Sequence, residues 1–295
     1  MRTLGKDKII YSFKPENQNV YFVEDGETFW VETDDCYSGQ IISEEILRPN
    51  IDISIMDASV GPIGVENAEA GDTLCVEVVD IKFAEYGVMV TSPGLGVLGE
   101  KITKANTKII PIKDGYAYFS DDIVLPLTPM IGVMGVSPKK GDIHCAVPGD
   151  HGANMDTKEI KIGSKVYLPV SVSGAGLAVG DLHACMGDGE LSGTGIETAG
   201  KVCLKVTVLK GNSISRPIIE NEESMFTVAS AKEFREAIKI AVDDMVSLIS
   251  KSLNLEFQDA YRLLSATCDI QISQVVNDLI TVRVRAPKKL LKLNI

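Results

Sequence analysis

Asp72-Thr73-Leu74-Cys75-Val76-Glu77-Val78-Val79-Asp80, entered through Ala70-Gly71, is a short Val-rich run bounded by turn-forming residues. Runs of this kind recur from Lys8 to Lys210, separated by Gly, Pro, Asp and Asn. Many short β-prone segments with frequent turns predict a mainly β protein of sandwich or barrel type. Lys165-Val166-Tyr167-Leu168-Pro169-Val170-Ser171-Val172 and Lys201-Val202-Cys203-Leu204-Lys205-Val206-Thr207-Val208 alternate apolar and polar residues, the period of half-buried strands. A turn precedes both the first run (Ala70-Gly71-Asp72) and the second (Lys161-Ile162-Gly163-Ser164), a likeness that gives the expectation of two similar sandwich-like halves.

After Ser230 the period changes. Ser230-Ala231-Lys232-Glu233 reads as a capping box. Beyond it Phe234, Ala237, Ile238, Ala241, Val242, Met245, Leu248 and Ile249 form one apolar stripe at helical spacing. A second, shorter helix is predicted from Leu255 to Ser265, capped by Asn254, with Ala260, Tyr261 and Leu264 inward. Ile270 to Val276 and Leu279 to Val284 read as two strands around an Asn277-Asp278 turn. The expected organisation is a β-rich catalytic region over residues 1–229 and a small C-terminal α+β elaboration over 230–295, packed on it.

Composition narrows the function classes. The chain has 295 residues and a net charge of -12, and its basic residues are scattered apart from Lys288, Lys289 and Lys292, so nucleic-acid phosphates are excluded as partners. The start lacks the apolar core of a signal peptide, and no run approaches the roughly 18 apolar residues of a membrane helix. The expectation is a cytoplasmic protein with no membrane partner. The six cysteines are widely spaced without a C-x-x-C pair, which fits reduced thiols.

Side chains suited to chemistry concentrate between Asp150 and Glu197. His151-Gly152-Ala153-Asn154-Met155-Asp156 is followed by Gly180-Asp181-Leu182-His183-Ala184-Cys185-Met186-Gly187-Asp188-Gly189-Glu190. In an extended strand residues two apart face the same side, so Asn154 with Asp156, Asp181 with His183, and Asp188 with Glu190 are same-side pairs able to converge on an ion or a substrate. Asp, Glu and His together suit a divalent metal. Read alone, an Asp-Gly-Glu triplet is usually a turn with solvated acids. A third acidic group, Glu32-Thr33-Asp34-Asp35, either lies at the surface or is held by a cation. In a regular strand Glu32 and Asp35 would face opposite sides, so a bulge or turn is required if both act.

Glu32-Thr33-x-Asp35-Cys36-x-Ser38-Gly39-Gln40, Gly61-Pro62-Ile63-x-Val65-Glu66-x-Ala68-Glu69-x-Gly71-Asp72, Pro148-Gly149-x-His151-Gly152-x-Asn154-Met155-Asp156 and Gly180-Asp181-x-His183 with Gly187-Asp188-Gly189-Glu190 occur in this order. Together with Asp269-Ile270-Gln271-Ile272-Ser273-Gln274-Val275-Val276, they resemble the signature blocks of the acetamidase/formamidase family over essentially the whole chain. The resemblance implies hydrolysis of formamide, acetamide or related short amides on a β-rich, oligomeric fold. Ala153 stands where the family often has a second glycine, and Cys185-Met186 where Ala-Gln is frequent.

On this reading Asp35, Asp181 and His183 are the leading metal ligands, with Asp156 as a further candidate. Glu190 handles the proton, with Glu32 and Asp188 as second choices, and His151 or Asn154 orients the substrate. Zinc is the first expectation because His183 supplies an imidazole, and a carboxylate-rich second site could take calcium. The small amide substrate and a homo-oligomer, dimeric or of higher even number, are the expected partners. Two rivals stand beside this reading: covalent catalysis by Cys185 near His183, and a β-sandwich that binds metal or a small ligand without catalysis.

Overall fold

The structure, a computed structural model, describes residues 1–291; Lys292, grouped above with Lys288 and Lys289, lies outside the described residues. The β-prone runs pair into two large sheets and a two-stranded ribbon. The nine-stranded sheet runs in the order Thr3–Leu4, Thr28–Thr33, Gly200–Leu209, Thr73–Phe83, Lys165–Pro169, Ile218–Glu220, Ser224–Ala231, Ile280–Pro287, Asp269–Gln274. The Val-rich run is its centre: Val76 pairs with Val206 on one side and with Val166 on the other. The eleven-stranded sheet is organised around Leu177–His183, which pairs with Met130–Gly135, Glu197–Thr198 and Ser59–Val65.

The sheets close face to face, as the short-strand pattern predicts. Leu74, Val76 and Val78 from one and Ile63, Ile131, Val179 and Leu182 from the other are buried in a single core. Two helices, α1 (Phe234–Leu253) and α2 (Phe257–Thr267), cover the opposite face of the C-terminal strands. Strand alternation sorts the side chains between layers: Phe226 and Val228 enter the sandwich core, while Met225, Ala229 and Ala231 meet the helices. On α1 the stripe packs through Ala237, Ala241, Met245, Val246 and Ile249. Burying Met245 or Ile249 contributes about 1.5–3 kcal/mol each relative to exposure.

Several local expectations are corrected. Ser230 does not cap α1, because it is the seventh residue of Ser224–Ala231 and its hydroxyl meets Thr281 Oγ1 at 2.9 Å. Glu233 occupies the N-cap without a side-chain bond. Asn254 does not begin α2 but ends α1, in the left-handed conformation that asparagine tolerates at a helix terminus. Tyr261 lies on the solvent side, although Ala260 and Leu264 are buried. Phe234, counted in the stripe, is likewise exposed. The boundary between 229 and 230 falls inside Ser224–Ala231, and Asp269–Gln274 and Ile280–Pro287 extend the same nine-stranded sheet. The C-terminal segment therefore continues the sandwich as well as packing on it.

Candidate active site

Asp181 and His183 share a face of Leu177–His183 as their spacing predicts, with His183 Nε2 3.2 Å from Asp181 Oδ1. Antiparallel register then sets Glu197 opposite His183. Glu197 Oε2 lies 3.0 Å from the same nitrogen, yet out of line for a hydrogen bond, so this buried oxygen is left without a partner. Asp156 follows the strand Gly152–Asn154, and Asn154 bridges the two carboxylates. With its amide nitrogen turned inward, the orientation in which nitrogen and oxygen both find partners, Asn154 donates to Asp156 Oδ1 at 3.1 Å and Asp181 Oδ2 at 3.2 Å.

Gly132 is what allows these acids to meet. A Cβ at Gly132 would fall 2.2 Å from Asp181 Oδ2 and 2.7 Å from Asp156 Oδ1, so any side chain there would displace both carboxylates.

The C-terminal hairpin completes the site. Gly189 donates to Ser273 O at 2.9 Å and accepts from Val275 N at 3.2 Å, which stitches the loop carrying Glu190 to the end of Asp269–Gln274. Buried Arg283 reinforces the seam by reaching Asp188 at 2.9 and 3.0 Å. In the hairpin turn Asn277 Nδ2 donates to Asp156 Oδ2 at 2.9 Å. Gln274 shapes that turn by donating to Leu279 O and accepting from Val276 N and Asn277 N. A cavity of about 430 Å³ opens over the result, walled by Asp57, Asn154, Asp181, Glu190, Glu197 and Asn277 among others.

Buried carboxylates at this density are not stable as free anions. Burial first, and then the charge of Asp181, raises Asp156 to about 7. Burial raises Asp181 to about 6, with His183 opposing and Glu197 adding to the rise. Burial lifts Asp57 and Glu190 well above the carboxylate range. For His183 burial works against the charged form, but Glu197 and Asp181 outweigh it and hold the imidazole well above its usual value. His183 Nδ1 has no partner. Unpartnered buried donor atoms and crowded acids are what a cation site requires. Two sets of side chains could hold a metal ion, Asp156 with His183 and Glu190, and Cys36 with Asp181 and Glu197, each with ligand atoms within 4.8 Å of one another.

Of the residues singled out in the sequence, Asp156, Asp181, His183, Glu190 and Asn154 converge here. Four others do not. Asp35 is buried, but its Oδ1 accepts from Tyr37 N at 2.9 Å and Gly39 N at 3.0 Å, so it shapes the turn that presents Cys36. Glu32 is half-exposed beside Lys201 on the neighbouring strand, because the strand continues to Thr33 without a bulge. Asp188 pairs with Arg283 and, at 3.0 Å, with Lys158. His151 packs edge-on against Phe13 with centroids 5.1 Å apart, and burial lowers it to about 4. Cys185 Sγ turns to Pro126 O at 3.4 Å and is absent from the cavity wall, which removes the geometry a Cys185 nucleophile would need.

Sequence reasoning missed Asp57, Glu197, Asn277 and Gly132. Glu197 closes the acid-rich stretch and was visible as a carboxylate, but only the pairing of two strands puts it on His183. His144, the third histidine, also lines the cavity; its Nδ1 accepts from Ala146 N at 3.2 Å.

The sequence model of the Acetamidase/Formamidase family matches this chain in two segments, residues 5–146 and 142–286, in keeping with the expected two halves. An acetamidase from Bacillus halodurans superposes with a TM-score of 0.96 at 40% identity, over 99% of this chain and 100% of that one. A structure from Thermoanaerobacter tengcongensis, described as a predicted acetamidase/formamidase, superposes with a TM-score of 0.95 at 45% identity, over 98% and 96%. The formamidase of Methylophilus methylotrophus is 27% identical over 258 residues, covering 66% of this chain, and this chain spans only 63% of that relative. With the family model matching from residue 5 to residue 286, on a fold shared end to end with these structures, the chain belongs to the acetamidase/formamidase family.

Proposed function

We propose that this protein is an amidase that hydrolyses short aliphatic amides, formamide and acetamide being the first cases, to a carboxylate and ammonia. The observation that carries the reading is the buried convergence of Asp156, Asp181, His183, Glu190 and Glu197 beside one cavity in a chain of this family. In the reaction the amide C–N bond breaks and a C–O bond to water forms, so that RCONH₂ and H₂O become RCOO⁻ and NH₄⁺. Hydrolysis needs a polarised carbonyl, an activated water and a proton for the leaving nitrogen.

His183, Asp181 and Glu197 are the residues we assign to hold a divalent metal, with Asp156 adjoining. Their support is the approach of two carboxylate oxygens to His183 Nε2 and the unpartnered Glu197 Oε2. The chemistry such a cation supplies is Lewis-acid polarisation of a carbonyl and acidification of water. Zinc is favoured by the imidazole, and Cys36, whose ligand atom lies within 4.8 Å of those of Asp181 and Glu197, adds a soft thiol beside the same carboxylates, which favours zinc over calcium. Asn154 and Asn277 brace Asp156, and Glu190, on the cavity wall, carries the proton to the departing nitrogen.

Ammonia release from formamide and acetamide, measured on chelated protein and again after zinc is restored, tests the reading. Activity that falls on chelation and returns with zinc is expected. No release from any short amide by zinc-loaded protein would overturn it and favour a non-catalytic binding protein. We carry forward the cytoplasmic setting, supported by six free cysteines among the described residues. Among those residues no helix is long and apolar enough to cross a membrane. We also carry forward a dimer or higher even-numbered homo-oligomer, against which sedimentation as a monomer at micromolar concentration would count.

A further inference from the structure

The cavity has more room than the simplest amides fill. Formamide has three non-hydrogen atoms and acetamide four, so at a water-like share of ~30 Å³ per atom acetamide occupies on the order of 100 Å³. The cavity of about 430 Å³ falls instead in the range of roughly 300–1,000 Å³ typical of sites for larger ligands. Beyond the acids its wall combines apolar side chains, Ile53, Met56, Leu95 and Val147, with polar ones, His144 and Asn277 among them, and it contains one arginine, Arg48.

Arg48 is unusual among the arginines of this chain. Arg216, Arg283 and Arg285, the others that are not exposed, each pair with a carboxylate at 2.6 to 3.1 Å. Arg48 is half-buried, and among the described residues it neither pairs with a carboxylate nor donates a side-chain hydrogen bond. Its backbone is well anchored. Arg48–Asn50 is a 3₁₀ turn, and the surrounding loop is tied by Gln40 to both backbone groups of Asp52 at 2.9 and 3.0 Å. Ser38 Oγ further holds Ile55 O at 2.6 Å, and Thr107 Oγ1 holds Ile46 O at 2.7 Å. A half-buried guanidinium on an anchored loop, without a protein partner, is pre-organised for an anionic group of a ligand.

Resting on the amidase reading, we propose that Arg48 is a specificity residue that receives a carboxylate at the far end of the substrate. The preferred substrates are then mono-amides of short dicarboxylic acids rather than acetamide. Among the described residues Arg48 is the only lysine or arginine on the wall. With its carboxylate on Arg48, such a substrate directs its neutral amide toward Asn154 and Glu190, so the charged contact discriminates between amides that carry a carboxylate and those that do not.

The test compares succinamate with succinamide, which has the same carbon chain but no charge, alongside acetamide. The readout is the ratio of kcat/KM for succinamate to that for succinamide, measured within each protein so that a loss of folded enzyme cancels. A ratio of about 10- to 100-fold is expected in the unaltered protein, the size of a charge-assisted hydrogen-bonded contact. It should fall toward one in Arg48→Gln, be partly kept in Arg48→Lys, and change through KM more than kcat. Turnover of acetamide with a ratio near or below one, or a ratio that survives Arg48→Gln, overturns the assignment and leaves the amidase reading intact. Ammonia from none of the three amides overturns the amidase reading itself, and the assignment with it.

Discussion

Asp57, Asp156, Asp181 and Glu190 are not glycine, yet their backbones are left-handed, with φ of 56°, 41°, 54° and 49°. Such conformations cost of order 1–3 kcal/mol each and persist where the surroundings over-determine them, which is typical of functional sites. Asp57, Asp181 and Glu190 line one cavity and Asp156 is hydrogen-bonded to Asn277 on its wall, so these backbones aim acids toward a common point that regular strands could not reach. The assignments at this scale separate by mutation. His183→Ala should lower metal content and amidase activity together, because it removes a proposed ligand. Glu190→Gln should keep the metal and lose roughly 10²- to 10⁴-fold in kcat, the size of a general acid-base contribution. Metal analysis beside ammonia release checks both. If Glu190→Gln also loses the metal, Glu190 belongs with Asp156 and His183 as a ligand; if it keeps near-normal turnover, another group carries the proton.

The central strand Thr73–Phe83 is entered through Asp72, which ties its own turn to the Lys210-Gly211 segment. Asp72 takes Lys210 Nζ at 2.6 Å, Gly211 N at 2.9 Å and Glu69 N at 2.9 Å. The Lys210 ammonium and the Gly211 amide hold its carboxyl down at about 2. Because the folded value lies below that of an unfolded aspartate, about 3.9, the contribution is present above pH 4 and is lost as pH falls toward 2. Lys210 is largely exposed, so the effect is screened by solvent and salt. In urea melts from pH 5 to 2, Asp72→Asn should therefore be less stable than the unaltered protein at pH 5 and converge with it near pH 2. Parallel curves across that range would dismiss Asp72 as an acid-sensitive tie. The helices illustrate the same scale differently. The α1 stripe was readable because 3.6-residue spacing is a property of the chain alone, whereas the supposed capping serine was claimed by a strand whose partner, Thr281, is 51 residues away.

The whole molecule brings the site together from residues 36 to 278, where strand ends of one sheet meet a hairpin turn of the other. Metal binding and global stability should be linked as a result, since without a cation the folded state confines several carboxylates near one imidazole. At a free metal concentration about 100-fold above Kd, binding contributes about 2.7 kcal/mol. For a chain of 295 residues that corresponds to a Tm lower by roughly 4 °C after chelation, restored by zinc. Differential scanning calorimetry on native, chelated and zinc-restored protein checks this, and an unchanged Tm would argue that the acids are held without a metal.

The amino-acid sequence by itself determined the β-sandwich class, the C-terminal helices and five of the converging site residues, because these rest on local periodicity and on motif spacing. Asp181 and His183 stand two apart, the spacing that pairs side chains on a strand, although the backbone of Asp181 is itself left-handed. Only the tertiary structure decided that Glu197 joins them, that Gly132 leaves room for them and that the Asn277 turn closes the cavity. It likewise withdrew Glu32, Asp35, Asp188 and His151 from the cavity, each engaged by a neighbour distant in sequence or by its own turn. A carboxylate offers the same ligand atoms wherever it stands in the chain. Whether it faces a metal, an arginine or water depends on register and packing between segments that chain order does not encode locally.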